Sequence, residues 1–282
     1  MKQRTVQSIL GGYKANDGAG VKLVRVLGNQ TAYQFDPFLM LDAFDSKNPK
    51  DYVAGFPMHP HRGIETFTYL LKGNIEHEDS LGNKGLIHDG GCQWMTAGRG
   101  IMHQEMPRAC PHLLGLQLWV NLPEKNKMTT PKYGDISPEM VPEVKEDGAT
   151  VRVVAGKYKE TAGAMQGSYV DMQFVDVKLD PGSTWQLETE PDDTAFAYIF
   201  EGEVGFENDR GNEAAKQAVL FHEGDIILAR AGKEGAHFIV ACGAPLKEPI
   251  AWGGPIVMNT KEEVERAFMQ IRFGTFIGDG NY

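Results

Sequence analysis

The chain has 282 residues, a length suited to two ordinary domains that can each bury a core without staples. Its formal net charge, 28 − 38 = −10, excludes the basic footprint of a direct nucleic-acid binder, and 41% hydrophobic with 23% charged residues is ordinary for a soluble globular protein. Cys92, Cys110 and Cys242 are odd in number and far apart, which excludes a disulfide framework or a CxxC site. The first twenty residues carry no apolar leader segment, and no apolar run approaches the roughly 18 residues of a membrane span. The expected setting is reducing and cytoplasmic, with no membrane partner.

In chain order, "VKLVRVL" (21–27) reads as a strand because β-branched and apolar residues dominate it. "DPFLMLDAF" (36–44) follows as an apolar segment. "ETFTYLLKGNIEHEDSLGNKG" (65–85) reads as a hairpin, its first arm alternating Thr with Phe, Tyr and Leu, its second arm "NIEHEDS", and "LGNKG" a turn signal. "CQWMTAG" and "LLGLQLWVNL" add two strands. The stretch 123–148 is rich in Pro, Lys and Glu and reads as a surface connection. Strand patterns then resume in "ATVRVVAG", "SYVDMQFVDVKL", "TAFAYIFEGEVGF", "AVLFHEGDIILARAG" and "AHFIVACG". Near the end, Thr260 with Glu263 forms a capping-box pattern, and Val264, Phe268 and Ile271 keep helical spacing. The expectation is an all-β chain of two barrels with one C-terminal α-helix docked by its apolar face. The division expected is 1–130 for the first barrel, 131–148 for a linker, and 149–282 for the second barrel with the helix.

The halves resemble each other. Gly90 to His103 and Gly224 to His237 are both 13 positions apart, each span holding a strand, a Gly-containing turn and another strand. This spacing suggests duplication of one β-barrel unit.

Two short motifs carry chemistry. In "MHPHRGIET", His59 and His61 lie two residues apart, so a strand would aim both at one point. In "IMHQEMP", His103 and Glu105 repeat that spacing 42 residues after His61. Neutral imidazoles and a carboxylate suit Fe, Mn, Co, Ni, Cu or Zn. Four protein ligands leave positions open for water, O2 or substrate, as in a catalytic site. Glu65 competes with Glu105 for the carboxylate role on parity alone, the other reading being a supporting or surface carboxylate. His77, His88, His112 and His222 read as solvated or locally bonded. Phe56, Met58 and Trp94 are candidates to line a flat pocket or, equally, to fill a barrel core.

Together "FDPFLMLD", "HPHRGIET", "HEDSLGNKG" and "QWMTAGRGIMHQEMP" resemble the pirins, members of the cupin superfamily. The match is close over about residues 20–125 and looser through the second half, and "HDGGCQWM" departs from the family's usual Gly-Asp pair without touching a ligand. The resemblance implies two cupin (double-stranded β-helix, jelly-roll) barrels, with Fe2+ in the first held by His59, His61, His103 and Glu105. It thereby favours Glu105 over Glu65. It also implies one of two functions. One is a quercetin 2,3-dioxygenase that opens flavonols with O2 and releases CO, with Glu105 as the catalytic base. The other is an iron-dependent regulator that binds a protein partner, such as a transcription factor or metabolic enzyme, without turnover. Setting Gly202 against Gly73 puts Glu188, Glu190, His237 and Ile239 at the ligand positions of the second barrel, a pattern expected to leave it without metal.

Overall fold

The computed structural model describes residues 1–165, 169–207 and 211–278. Two compact units emerge, and they do not follow the chain in simple halves. One unit combines residues 1–12, 35–37 and 139–245; the other combines 13–34, 38–138 and 246–282. The expected boundaries at 130 and 149 run along the chain, whereas the segment after residue 245 belongs with the N-terminal barrel, and the first dozen residues belong with the C-terminal one.

The N-terminal barrel faces a seven-stranded sheet with a four-stranded one. The larger runs, edge to edge, Lys132–Ile136, Cys92–Thr96, Ile64–Lys72, Leu113–Asn121, Phe38–Ser46, Val21–Leu27 and Tyr13–Asp17. The smaller runs Phe56–His61, Ile101–Pro107, Ile75–Asp79 and Lys84–Ile87. All pairings are antiparallel. An apolar cluster of Leu39, Met40, Ile64, Met95, Ile101, Trp119 and Val257 fills part of this unit.

The expected 65–85 hairpin is corrected by these pairings. Its two arms enter different sheets, because the chain turns a corner at Gly73, whose φ of 114° suits glycine. The true hairpin joins Ile75–Asp79 to Lys84–Ile87, with "LGN" in its turn. The 123–148 stretch is also more than a connection. Lys132–Ile136 pairs with Cys92–Thr96, Glu143–Glu146 pairs with Ala149–Ala155, and Lys127 is buried.

The C-terminal barrel is one nine-stranded sheet that curls on itself. Its organiser is the 18-residue strand Ile226–Gly243, which pairs with Thr184–Glu188 at its start and with Met172–Leu179 and Thr194–Gly205 beyond. Val153, Val175, Val177, Trp185, Leu187, Ile199, Phe206, Phe238 and Val240 pack together as its core.

The helix Lys261–Arg272 forms where the capping box predicts. Thr260 Oγ1 accepts from Glu263 N at 3.2 Å, and the Glu263 carboxylate accepts from Thr260 N at 2.9 Å. Its docked stripe is Val264, Ala267 and Ile271; Phe268, expected in that stripe, is 43% exposed. All three cysteines are free, and no described helix is long and apolar enough to cross a membrane.

Candidate metal centre

Strand Ile101–Pro107 alternates buried and half-buried residues without a break, which puts Ile101, His103 and Glu105 on its inner face. Its neighbour Phe56–His61 pairs His59 with His103 and His61 with Ile101. Directly paired residues share a face, so three imidazoles are brought together. Ring centroids are 4.4 Å apart for His59 and His103, 4.8 Å for His59 and His61, and 5.0 Å for His61 and His103. One nitrogen from each lies within 4.8 Å of the others. Two nitrogens on one metal at ordinary bond lengths sit at most about 4.2 Å apart, so these separations are near those of a shared site.

Hydrogen bonds fix the tautomers of the first two. His59 Nδ1 meets Pro57 O at 2.9 Å, and His61 Nδ1 meets Pro255 O at 3.1 Å. A carbonyl oxygen only accepts, so each Nδ1 carries the hydrogen. Both Nε2 atoms are then bare lone pairs, and they face each other at 3.1 Å. Two lone pairs at that separation repel unless a proton or a cation lies between them. A proton is disfavoured: burial, then the neighbouring His59, depresses His61 to about 3, against some relief from the Pro255 carbonyl. Burial, then His61, His59 and His77, likewise holds His103 well below the ordinary imidazole range. His103 is buried with neither ring nitrogen hydrogen-bonded. Convergent nitrogens, two of them on imidazoles that resist a proton, fit a metal cation.

Glu105 reaches across the barrel to the larger sheet. Its Oε1 accepts from Thr68 Oγ1 at 3.0 Å and its Oε2 from Gln117 Nε2 at 2.6 Å. The group of convergent ligand atoms therefore consists of the three histidines, with the Glu105 carboxylate tied to Thr68 and Gln117. Those two partners belong to one polar row. Register places Asp135, Gln93, Thr68, Gln117, Asp42, Arg25 and Tyr13 opposite one another across all seven strands. Glu65 lies on the other face, buried, accepting from Thr96 Oγ1 at 2.6 Å and Trp94 Nε1 at 3.2 Å. It is no surface carboxylate: these bonds tie it to the neighbouring strand Cys92–Thr96.

Parity also relocates the aromatic residues. Trp94 pairs with Phe67 and so shares the face of Glu65, not that of Thr68. Met58 is exposed, and Phe56 packs against Phe44. The indole beside the cluster is Trp119, 4.9 Å from His61 edge-on, with Trp252 5.9 Å further along. Trp119 is two residues from Gln117, a spacing legible in "LQLWV" once Gln117 is placed. His77 is fully buried, bonded to Asp79 at 3.2 Å, stacked on Tyr133 and 5.3 Å from His103. It is locally bonded as expected, and it borders the cluster, which its position in a predicted hairpin arm concealed.

The second barrel has no such arrangement among its described residues. Phe238 and Val240 point into its core, so His237 lies on the opposite face of its strand, where it bonds Asp176 at 2.6 Å. Glu188 and Glu190 are half to fully exposed, and Ile239 is buried.

Two unequal sheets holding a histidine cluster in the first unit, and a nine-stranded sheet in the second, define a two-barrel cupin protein. Comparison with known proteins narrows the class. Residues 20–120 match the family model described as Pirin, and residues 174–277 match that described as Pirin C-terminal cupin domain. A Pseudomonas aeruginosa protein named "Putative quercetin 2,3-dioxygenase" is 44% identical over 97% of this chain and 98% of its own length. Human "Pirin" is 38% identical over 91% of this chain and 88% of its own. The crystal structure of a quercetin 2,3-dioxygenase from Acinetobacter baumannii superposes at a TM-score of 0.88 with 33% identity, covering 97% and 98% of the two chains. The chain belongs to the pirin family.

Proposed function

We propose that the chain is an iron-dependent quercetin 2,3-dioxygenase-type enzyme that opens flavonols with O2 and releases CO. Fe2+ would be held by His59, His61, His103 and Glu105; Mn, Co, Ni, Cu and Zn share the ligand chemistry. The observation that carries the reading is the buried imidazole trio with facing Nε2 lone pairs, in a chain 44% identical to a relative named for this activity. A bound metal would supply Lewis acidity toward the flavonol 3-hydroxyl.

The protein's part follows from its own groups. Imidazole ligates a metal through a lone pair and brings no charge, so Glu105 would be the anionic member of the ligand set. Thr68 and Gln117 each occupy one lone pair of its carboxylate, and each oxygen keeps another. That spare lone pair takes the proton of the flavonol 3-hydroxyl, leaving an electron-rich oxygen for reaction with O2. Trp119 and Trp252 offer flat apolar surface to an aromatic substrate and exclude water. In this reading the N-terminal barrel is the catalytic domain and the C-terminal barrel carries no metal. A reducing cytoplasm suits both Fe2+ and three free cysteines.

The test is aerobic incubation of iron-loaded protein with quercetin, following flavonol loss and CO. Glu105→Ala should lower turnover by about 100-fold or more. No flavonol loss above that of the variant sinks the reading and leaves the alternative, a metal-dependent binder of a protein partner.

A further inference from the structure

The motif His-Pro-His-Arg-Gly has five residues, and the ligand set uses two. Arg62 and Gly63 point to what the rest does. Arg62 is buried, although it follows a ligand directly. Its Nε donates to Arg99 O, its Nη1 to Gln270 Oε1 at 2.6 Å, and its guanidinium lies over the Phe276 ring at 4.3 Å. Its backbone forms a parallel bridge with Ile256, and its carbonyl accepts from Val257 N at 3.1 Å. Gly63 has φ of 77°, and a Cβ there would fall 1.9 Å from Val257 O. Lys127, buried, donates from Nζ to Gly63 O, Asn121 Oδ1 and Val257 O together. Apart from the bonds to Arg99 O and Asn121 Oδ1, these contacts join the end of the ligand strand, directly or through Lys127, to residues 256–276. At their centre is the turn of the hairpin Ala251–Gly253 and Ile256–Met258, whose Pro255 O accepts from His61 Nδ1.

We infer that the segment 251–276 is a positioning device for the metal centre: it holds Pro255 O against His61 Nδ1 and thereby fixes the tautomer and direction of that ligand. A histidine that donates its second nitrogen to a fixed acceptor presents the other as a preset, more basic lone pair. His59 obtains the same service two residues away, from Pro57 O. His61 has its acceptor 194 residues away in sequence, so its orientation depends on how firmly the C-terminal segment is fastened. Arg62 is the fastener at the strand, Gln270 and Phe276 at the segment. Gln270 and Phe276 are positioning residues, since neither touches a ligand nitrogen.

The inference rests on the metal-site reading, and its test measures metal rather than turnover. Full-length wild type, Gln270→Ala, Gln270→Glu, Pro255→Gly and His61→Ala are titrated with Co2+ against a chelator, and the visible ligand-field spectrum of each Co2+ form is recorded. Gln270→Glu keeps an acceptor for Arg62, so it should restore near wild-type affinity and spectrum. Gln270→Ala and Pro255→Gly should each weaken Co2+ by about 10- to 100-fold and shift the ligand-field bands, with far-UV circular dichroism unchanged. A merely structural role for Gln270 would lower the melting temperature in both Gln270 variants or neither, with the spectrum unmoved. Folded Gln270→Ala and Pro255→Gly proteins that bind Co2+ as tightly as wild type, with the same spectrum, overturn the inference alone. His61→Ala binding Co2+ like wild type overturns the metal-site reading with it.

Discussion

His61 and His103 are imidazoles that resist a proton in the folded chain, because burial and neighbouring imidazoles penalise the charge. In the unfolded chain both return to about 6.5. Below that pH the unfolded state binds more protons, so stability falls as pH falls through 6.5 and continues falling toward the depressed folded values. The loss is at most about 1.4 kcal/mol per pH unit for each such histidine. His237 has the opposite sign. Burial opposes its charge, but Asp176 and then Glu201 outweigh burial and raise it. Its contribution is full below 6.5 and is lost as pH rises through the raised value. Urea unfolding of chelator-treated protein at pH 5.5 and 6.5 should show a smaller acid loss in His61→Ala than in wild type; equal losses would refute the burial argument. The clustering of His59, His61 and His103 is legible in the sequence because a two-residue spacing in a strand fixes a shared face. Trp94 and Trp119 were not separable that way. Which face of the sheet lines the site depends on register with Phe67 and Thr68, and register is a pairing property. The place of His77 is not legible in the sequence, because the corner at Gly73, which sends its strand into the smaller sheet, leaves only a glycine there.

At the scale of elements, the turn after the ligand strand is the least replaceable piece. Gly63→Ala places a Cβ against the Val257 carbonyl and forces a left-handed backbone on alanine. The variant should lose at least about 2 kcal/mol of stability, read as a lower urea midpoint at unchanged slope. A midpoint equal to wild type would mean that the C-terminal segment is not seated as described. Strands and helix were readable where local pattern decides, as in Val21–Leu27 and the capping box of Lys261–Arg272. Partnership was not. The 123–148 stretch reads as polar connection because its two strands lie at sheet edges, where one face and one flank meet solvent. Lys127 lies in that polar stretch, and Gly63 O, Asn121 Oδ1 and Val257 O converging on its Nζ offset the burial of its charge.

At the scale of the molecule, the two barrels have different interiors, one crossed by a polar row and imidazoles, the other packed with apolar side chains. A metal binding only the first should stabilise it by about 2.7 kcal/mol at a free concentration of 100 times Kd. Hydrogen exchange should then slow in Phe56–His61 and Ile101–Pro107 on adding metal; unchanged exchange there would exclude binding at this site. The same geometry has a consequence for biosynthesis. His59, His61, His103 and Glu105 all leave the ribosome well before Pro255, which follows His61 by 194 residues. At about 5–20 residues per second, roughly 10–40 seconds separate the two. Throughout that interval the nascent ligand strand has its histidines but not the carbonyl that orients one of them. On the inference above, a metal centre would be completed late in translation, and its loading would report that the C-terminal segment has arrived.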